Sequence, residues 1–198
     1  MATKEHWNVD PWNDAEIWSK LIGKEQEDTL ETLKQYDQIF GNQYGARCLE
    51  IGAGVGRLLR FAGRSFHEAW GVDSSPVMVA LSTRYLQVSD RIRVVFGDGN
   101  LLPFPTNWFS FVYSFTCFQH MPDLATVTQN LQEARRVLDP GGICKIQTVC
   151  GDRGEPGRYD GYVFLSESEF GMEMMNAGFT KVVTDRIGEW IWATGEKA

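Results

Sequence analysis

The sequence predicts an α/β protein: a doubly wound, mostly parallel sheet with helices on both faces. Three observations carry this. Short apolar runs alternate with helical stretches from about residue 46 onward. The segments between the first runs are long enough to hold crossover helices, which favours parallel pairing. The first run leads through Leu49-Glu50-Ile51-Gly52-Ala53-Gly54-Val55-Gly56, a strand followed by a glycine loop and a helix start.

Each element has its own local reason. Asp14, shortly after Pro11, is placed to cap a short helix through about Ser19. A longer helix is expected over residues 25–40, because Leu30, Leu33, Tyr36 and Ile39 recur at three- and four-residue spacing. Gly41 and Gly45 break the chain before the first strand. Strands are expected near 46–51, 68–72, 92–96, 109–115 and 143–149, with helices near 56–64, 76–86 and 124–137. Pro140-Gly141-Gly142 reads as a turn opening the fifth strand, and the glycine- and charge-rich stretch 152–162 as a loop. Ser166 with Glu169 three residues on forms a capping-box signature for a helix near 166–177. Strands near 180–185 and 189–195 flank Gly188 as a hairpin.

The 198 residues suit one domain with a substantial core. A helical cap or lid over residues 1–44 is expected to precede a compact ligand-binding core over 45–198. The net charge of −7 argues against a broad basic surface for a nucleic acid. A neutral or cationic small molecule is easier to accommodate. No apolar run of 18 residues and no apolar leader core occur, so a cytoplasmic protein without membrane association is expected. Cys48, Cys117, Cys144 and Cys150 form no C-x-x-C pair and are expected as reduced, mostly buried thiols. His6, His67 and His120 lack metal-ligand spacing, and no metal is expected.

The glycine loop is the first candidate site. Gly52, Gly54 and Gly56 allow positive φ and close approach of a ligand to the backbone around Ala53. Free N–H groups at the following helix start suit a ligand's negative end. The carboxylate of Glu50 suits a cation or a hydroxyl. A dinucleotide fingerprint would need G-x-G-x-x-G. Here the third glycine comes one residue early, and Glu50 would repel a pyrophosphate. Two further acids end the next two strands: Asp73 in Gly71-Val72-Asp73-Ser74, and Asp98 in Gly97-Asp98-Gly99. In an open α/β sheet those strand ends border the ligand crevice. Asp73 there can accept both hydroxyls of a ribose, and Asp98 can accept from an exocyclic amine.

These segments, with Leu102-Pro103-Phe104, Phe118-Gln119-His120-Met121-Pro122-Asp123 and Arg136-Val137-Leu138-Asp139-Pro140-Gly141-Gly142, resemble the class I S-adenosylmethionine-dependent methyltransferases. Their order and spacing most resemble the small-molecule branch, including enzymes acting on sugars or secondary metabolites. The resemblance runs from about Ala46 to the C-terminus. It implies a Rossmann-like methyltransferase fold of seven strands, the last antiparallel, and S-adenosylmethionine as cofactor, with S-adenosylhomocysteine as product.

On that reading Gly52, Ala53, Gly54 and Gly56 carry the methionyl end. Glu50 serves its ammonium, and Arg57 is either its carboxylate partner or a solvated side chain. Asp73 holds the ribose, with Ser74 beside it. Met78 either packs on adenine or belongs to the core. Asp98 and Gly99 read the adenine edge. The strand from Phe109 ends at Phe115; Phe115 is a further cofactor candidate, and Gln119 orients either the cofactor or the substrate. His120 is either a general base or a wall of the crevice. The acceptor wall is drawn from Trp7, Trp12, Trp18, His120, Tyr159 and Tyr162, with simple packing as the other reading of the three tryptophans.

Competing readings fare worse. A nicotinamide oxidoreductase would need the other glycine pattern. A nucleic-acid methyltransferase conflicts with the acidic charge, and no Asn/Asp-Pro-Pro-aromatic segment ends the fourth strand. A protein methyltransferase of the guanidinium type would need a paired-glutamate loop. A non-catalytic binding module on the same fold remains the main alternative, because fold does not settle function.

Overall fold

The computed structural model describes residue 34 and residues 37–86, 91–151 and 163–198. The expectations for Trp7, Trp12, Trp18, Tyr159 and Tyr162, and for the helices up to residue 33, lie outside the described residues. The chain divides into two compact units, with the boundary between Phe96 and Gly97.

The first unit holds three parallel strands: β1 (Gly45–Ile51), β2 (Phe66–Asp73) and β3 (Ile92–Phe96). Helix α1 (Leu59–Ala62) connects β1 to β2, and α2 (Pro76–Tyr85) lies between β2 and β3. The helical residues 37–40 stop where Gly41 takes φ 49° and donates its N–H to the Asp37 carbonyl at 3.0 Å. Register places Glu50 opposite Gly71 and Ile51 opposite Val72, so β1 and β2 end together. Cys48, Leu49, Leu59, Ala62, Ala69 and Leu81 are buried. Burial pushes the Cys48 thiol well above its ordinary range.

Helix α1 is shorter than the expected 56–64. Residues 54–58 are turns, and the Phe61 N–H reaches back only three residues, to Leu58. The glycines that serve the loop take φ of 75°, 54° and 85° at Gly52, Gly54 and Gly56, which delays the first regular turn. Helix α2 starts cleanly: Ser75 accepts the Met78 N–H at 3.3 Å, and Pro76 fills the first position, where no N–H is needed.

The second unit holds β4 (Phe109–Ser114), β5 (Leu138–Val149), β6 (Thr180–Ile187) and β7 (Trp190–Glu196). Strand β4 pairs with β5 in parallel, whereas β7 runs antiparallel to both β5 and β6. Helix α3 (Leu124–Val137) is capped by Asp123, which accepts from the Thr126 N–H. Helix α4 (Glu167–Asn176) has the expected capping box between Ser166 and Glu169. Gly188, at φ 64°, turns the β6–β7 hairpin.

Strand β5 begins five residues before its expected start. The Pro140-Gly141-Gly142 stretch does not precede the strand as a turn but bulges within it. Leu138 pairs with Phe109 and Ile143 with Phe111, so five residues of β5 advance while β4 advances two. Gly141 takes φ 79° there, and its N–H donates to the Lys197 carbonyl at 2.7 Å. The four cysteines are free; Cys48 and Cys144 are buried, Cys117 and Cys150 half-buried. Among the described residues no helix is long and apolar enough to cross a membrane.

Candidate cofactor site

In the first unit, the end of β1 and the end of β2 are tied together by one side chain. The Asp73 carboxylate accepts the Gly54 N–H at Oδ2 (2.8 Å) and the Ser75 N–H at Oδ1 (2.9 Å). Asp73 thereby fixes the glycine loop and the entry to α2 at once. Burial raises its pKa above the ordinary carboxylate value, against the lowering effect of the Ser75, Gly54 and Ser74 N–H groups. Gly52 and Ala53 each donate an N–H to the Val72 carbonyl, at 2.9 and 3.1 Å, which seats the loop over β2.

The loop glycines differ in purpose. A Cβ on Gly54 would meet no atom within 4 Å, so the space beside it is open, although φ 54° disfavours a side chain there. A Cβ on Gly56 would lie 2.8 Å from the movable end of the Leu86 side chain, and φ 85° disfavours any side chain there. Gly71 lets β2 pass under the loop, since a Cβ there would stand 2.5 Å from that of Ala53.

Glu50 is 3 % exposed at the end of β1. Arg57 is half-buried and Ser74 exposed. Met78 is 3 % exposed and packs with Val55 and Leu81, with Val77 and Tyr85 around them. That placement supports its role in the core and leaves little side-chain surface for a ligand.

In the second unit, Asp98 is exposed and organises its own loop. Its Oδ1 accepts the N–H groups of Asn100 (2.8 Å) and Leu101 (3.0 Å). Gly99 takes φ 85°. Helix α3 anchors this loop through four side chains. Asn130 Nδ2 donates to the Gly99 carbonyl and Gln129 Nε2 to that of Asn100. Glu133 Oε2 accepts the Leu102 N–H at 2.9 Å. Arg136 donates to the carbonyls of Leu102 and Phe104 and closes on both Glu133 oxygens, at 2.7 and 2.8 Å. The guanidinium holds the Glu133 carboxyl below its usual range. Sequence reasoning noted Arg136 only as part of a motif and missed Gln129, Asn130 and Glu133. A signal existed: Asn130 falls on the apolar stripe of α3, between Val127 and Ala134, where a polar residue needs a partner.

After β4 the chain turns sharply. Thr116 takes φ 53°, a left-handed conformation that β-branched residues rarely adopt. A 3-10 turn over Phe118–His120 follows, with the His120 N–H on the Cys117 carbonyl at 2.9 Å. His120 is half-buried. Gln119 is 2 % exposed, its side-chain Oε1 has no hydrogen-bond partner among the described residues, and its backbone carbonyl accepts the Val163 N–H at 2.9 Å. Phe115 lies against Trp192, ring centres 5.8 Å apart.

A family model for a methyltransferase domain matches residues 49–146, the span from the β1 glycine loop through β5. The chain belongs to the class I S-adenosylmethionine-dependent methyltransferases. It is 34 % identical over 110 residues to a sterol 24-C-methyltransferase of Gibberella zeae, covering 52 % of this chain and 27 % of that one. It is 30 % identical over 122 residues to the demethylmenaquinone methyltransferase of Bacillus licheniformis, covering 60 % and 50 %. The chain therefore spans between about a quarter and a half of these relatives' length. A phosphoethanolamine N-methyltransferase from Haemonchus contortus, solved with phosphomonomethylethanolamine and S-adenosylhomocysteine, superposes with a TM-score of 0.79 at 17 % identity. That likeness covers 98 % of this chain and 60 % of the other. The fold is the family's Rossmann-like, mostly parallel seven-stranded sheet with helices on both faces.

S-adenosylmethionine is the cofactor of this family, and the residues present suit it. An open cradle at Gly54, a positioned Asp73 carboxylate and a buried Glu50 meet a ligand that carries an amine and a ribose. The two carboxylates would repel a pyrophosphate.

Proposed function

We propose that this protein transfers a methyl group from S-adenosylmethionine to a small-molecule acceptor, a hydroxyl or amine of a sugar or secondary metabolite. The observation that carries the reading is the Asp73 clasp on the glycine loop. It ties the end of β1 to the end of β2 and leaves the space beside Gly54 open, an arrangement that suits a nucleoside joined to an amino acid. The relatives' names, which specify sterol, demethylmenaquinone and phosphoethanolamine chemistry, support a small-molecule acceptor.

On this proposal residues 45–198 act as the cofactor-binding core and residues 1–44 as a cap. Gly52, Ala53, Gly54 and Gly56 take the methionyl end, with Glu50 and Arg57 for its charged groups. Asp73 and Ser74 take the ribose, and Asp98 and Gly99 the adenine. Phe115 and Gln119 line the cofactor. Trp7, Trp12, Trp18, Tyr159 and Tyr162 supply the acceptor wall.

When bound, the cofactor supplies a methyl group on a sulfonium, already an excellent leaving group. The protein's share is therefore alignment and exclusion of water. His120 removes the acceptor's proton as the new bond to carbon forms, a role suited to imidazole near neutral pH. The test is methyl transfer to a panel of sugars, amines and phenols, followed by release of S-adenosylhomocysteine. Turnover with one class supports the reading. Tight cofactor binding with no turnover across the panel would favour a non-catalytic module. His120→Asn should lose most turnover while keeping cofactor affinity, and full turnover in that variant would remove the base.

A further inference from the structure

We infer that Asn130, a helix residue with no place in the family motifs, sets how well this protein distinguishes adenine from other bases. The inference rests on the proposed role of Asp98 and Gly99 as adenine readers. Asn130 is 4 % exposed. Its Nδ2 donates to two carbonyls, that of Thr126 within its own helix (2.9 Å) and that of Gly99 in the loop (3.0 Å). Both acceptors are carbonyls, so the amide orientation is fixed by chemistry: the reverse would press oxygen on oxygen.

The consequence runs through one peptide plane. Holding the Gly99 carbonyl fixes the plane shared by Gly99 and Asn100. The N–H on the other side of that plane belongs to Asn100, and it donates to Asp98 Oδ1 at 2.8 Å. A side chain on α3 thus fixes one of the two donors that aim this carboxylate, the other being the Leu101 N–H at 3.0 Å. Gly99 at φ 85° has no Cβ to restrain it, so without Asn130 that plane keeps only the Asn100 N–H bond to the exposed Asp98 side chain. The Gln129 bond to the Asn100 carbonyl is exposed, 3.1 Å long, and sits one peptide further on. It does not replace the buried contact. Asn130 is therefore a positioning residue. It acts on base selectivity more than on the methyl-transfer step.

The test compares binding of S-adenosylhomocysteine with S-inosylhomocysteine, whose base carries a carbonyl in place of the exocyclic amine. Isothermal calorimetry on the full chain reads both. The wild type should prefer the adenine ligand at least tenfold. Asn130→Asp removes both donors at constant shape, and Asn130→Ala removes the side chain while keeping a strong helix former. In either variant the preference should fall to threefold or less, mainly through weaker binding of the adenine ligand. The second variant carries the test if the first does not fold. Amide exchange should quicken at residues 99–101 and stay unchanged in β5 and β7. An intact tenfold preference, or equal losses for both ligands, would overturn the inference while leaving the cofactor reading in place. A wild type that binds neither ligand would overturn both.

Discussion

Replacing Asp73 by alanine tests the cofactor site most directly. In the protein the carboxylate holds two backbone donors at 2.8 and 2.9 Å, on opposite sides of the loop-to-helix passage. Hydrogen bonds to a charged group are worth about 1.5–3 kcal/mol each. Losing one such ligand contact lowers affinity about 10- to 150-fold. Release of the Gly54 N–H from its anchor adds to that loss by loosening the loop. Stability responds differently. Burial raises the Asp73 pKa, so its contribution to folding is complete below the ordinary carboxylate pKa and is lost as pH rises through the raised value. At neutral pH its buried charge opposes folding, which offsets part of the two lost hydrogen bonds. The melting temperature should therefore fall only a few degrees, at about 2–4 °C per kcal/mol for a chain of this size. Calorimetric titration of S-adenosylhomocysteine and a thermal melt measure both effects. Affinity within twofold of wild type in a folded variant would refute the reasoning.

Three further outcomes follow from the geometry. Glu133→Gln should cost about 1 kcal/mol at neutral pH. Because Arg136 holds the Glu133 pKa down, that contribution is present above the ordinary carboxylate pKa and lost as pH falls through the lowered one. The gap between wild type and variant in urea titrations should thus close on acidification, and a constant gap would contradict the assignment. Thr116→Gly should raise stability by about 0.5–1 kcal/mol by relieving a left-handed φ of 53°. Thr116→Ala should give no such gain, and equal gains from both would remove strain as the cause. Gly71→Ala forces a Cβ to 2.5 Å from Ala53 and should cost about 1–3 kcal/mol, with weaker cofactor binding, in a combined melt and titration.

Much of the fold was legible because strands and turns here have local causes. Alternating apolar runs placed β1 to β4, the expected helix over 124–137 coincides with α3, and Ser166 marked the start of α4 within a residue. The β5 bulge was not legible, since Pro140-Gly141-Gly142 reads as an ordinary turn until the pairing partners are known. Helix α1 was overestimated for a related reason. Apolar spacing continues through residues whose backbone is committed to the loop. At the site, the acids at strand ends could be named from sequence. Their hydrogen-bond duties could not, because Asp73 reaches 19 residues back to Gly54, and Asn130 reaches 31 back to Gly99. Periodicity within α3 reports which face is buried, but not which loop it holds.

The four anchors on α3 follow a fixed spacing: Gln129, Asn130, Glu133 and Arg136 occupy one side of the helix, spread over two turns. The irregular stretch from Gly97 to Phe104 has no ladder of its own and takes its shape from that row, as wire bent round pegs. Substitutions within the stretch disturb single contacts. A one-residue insertion in the first turns of α3 would swing the pegs beyond it by 100° about the axis and dismantle the stretch as a whole.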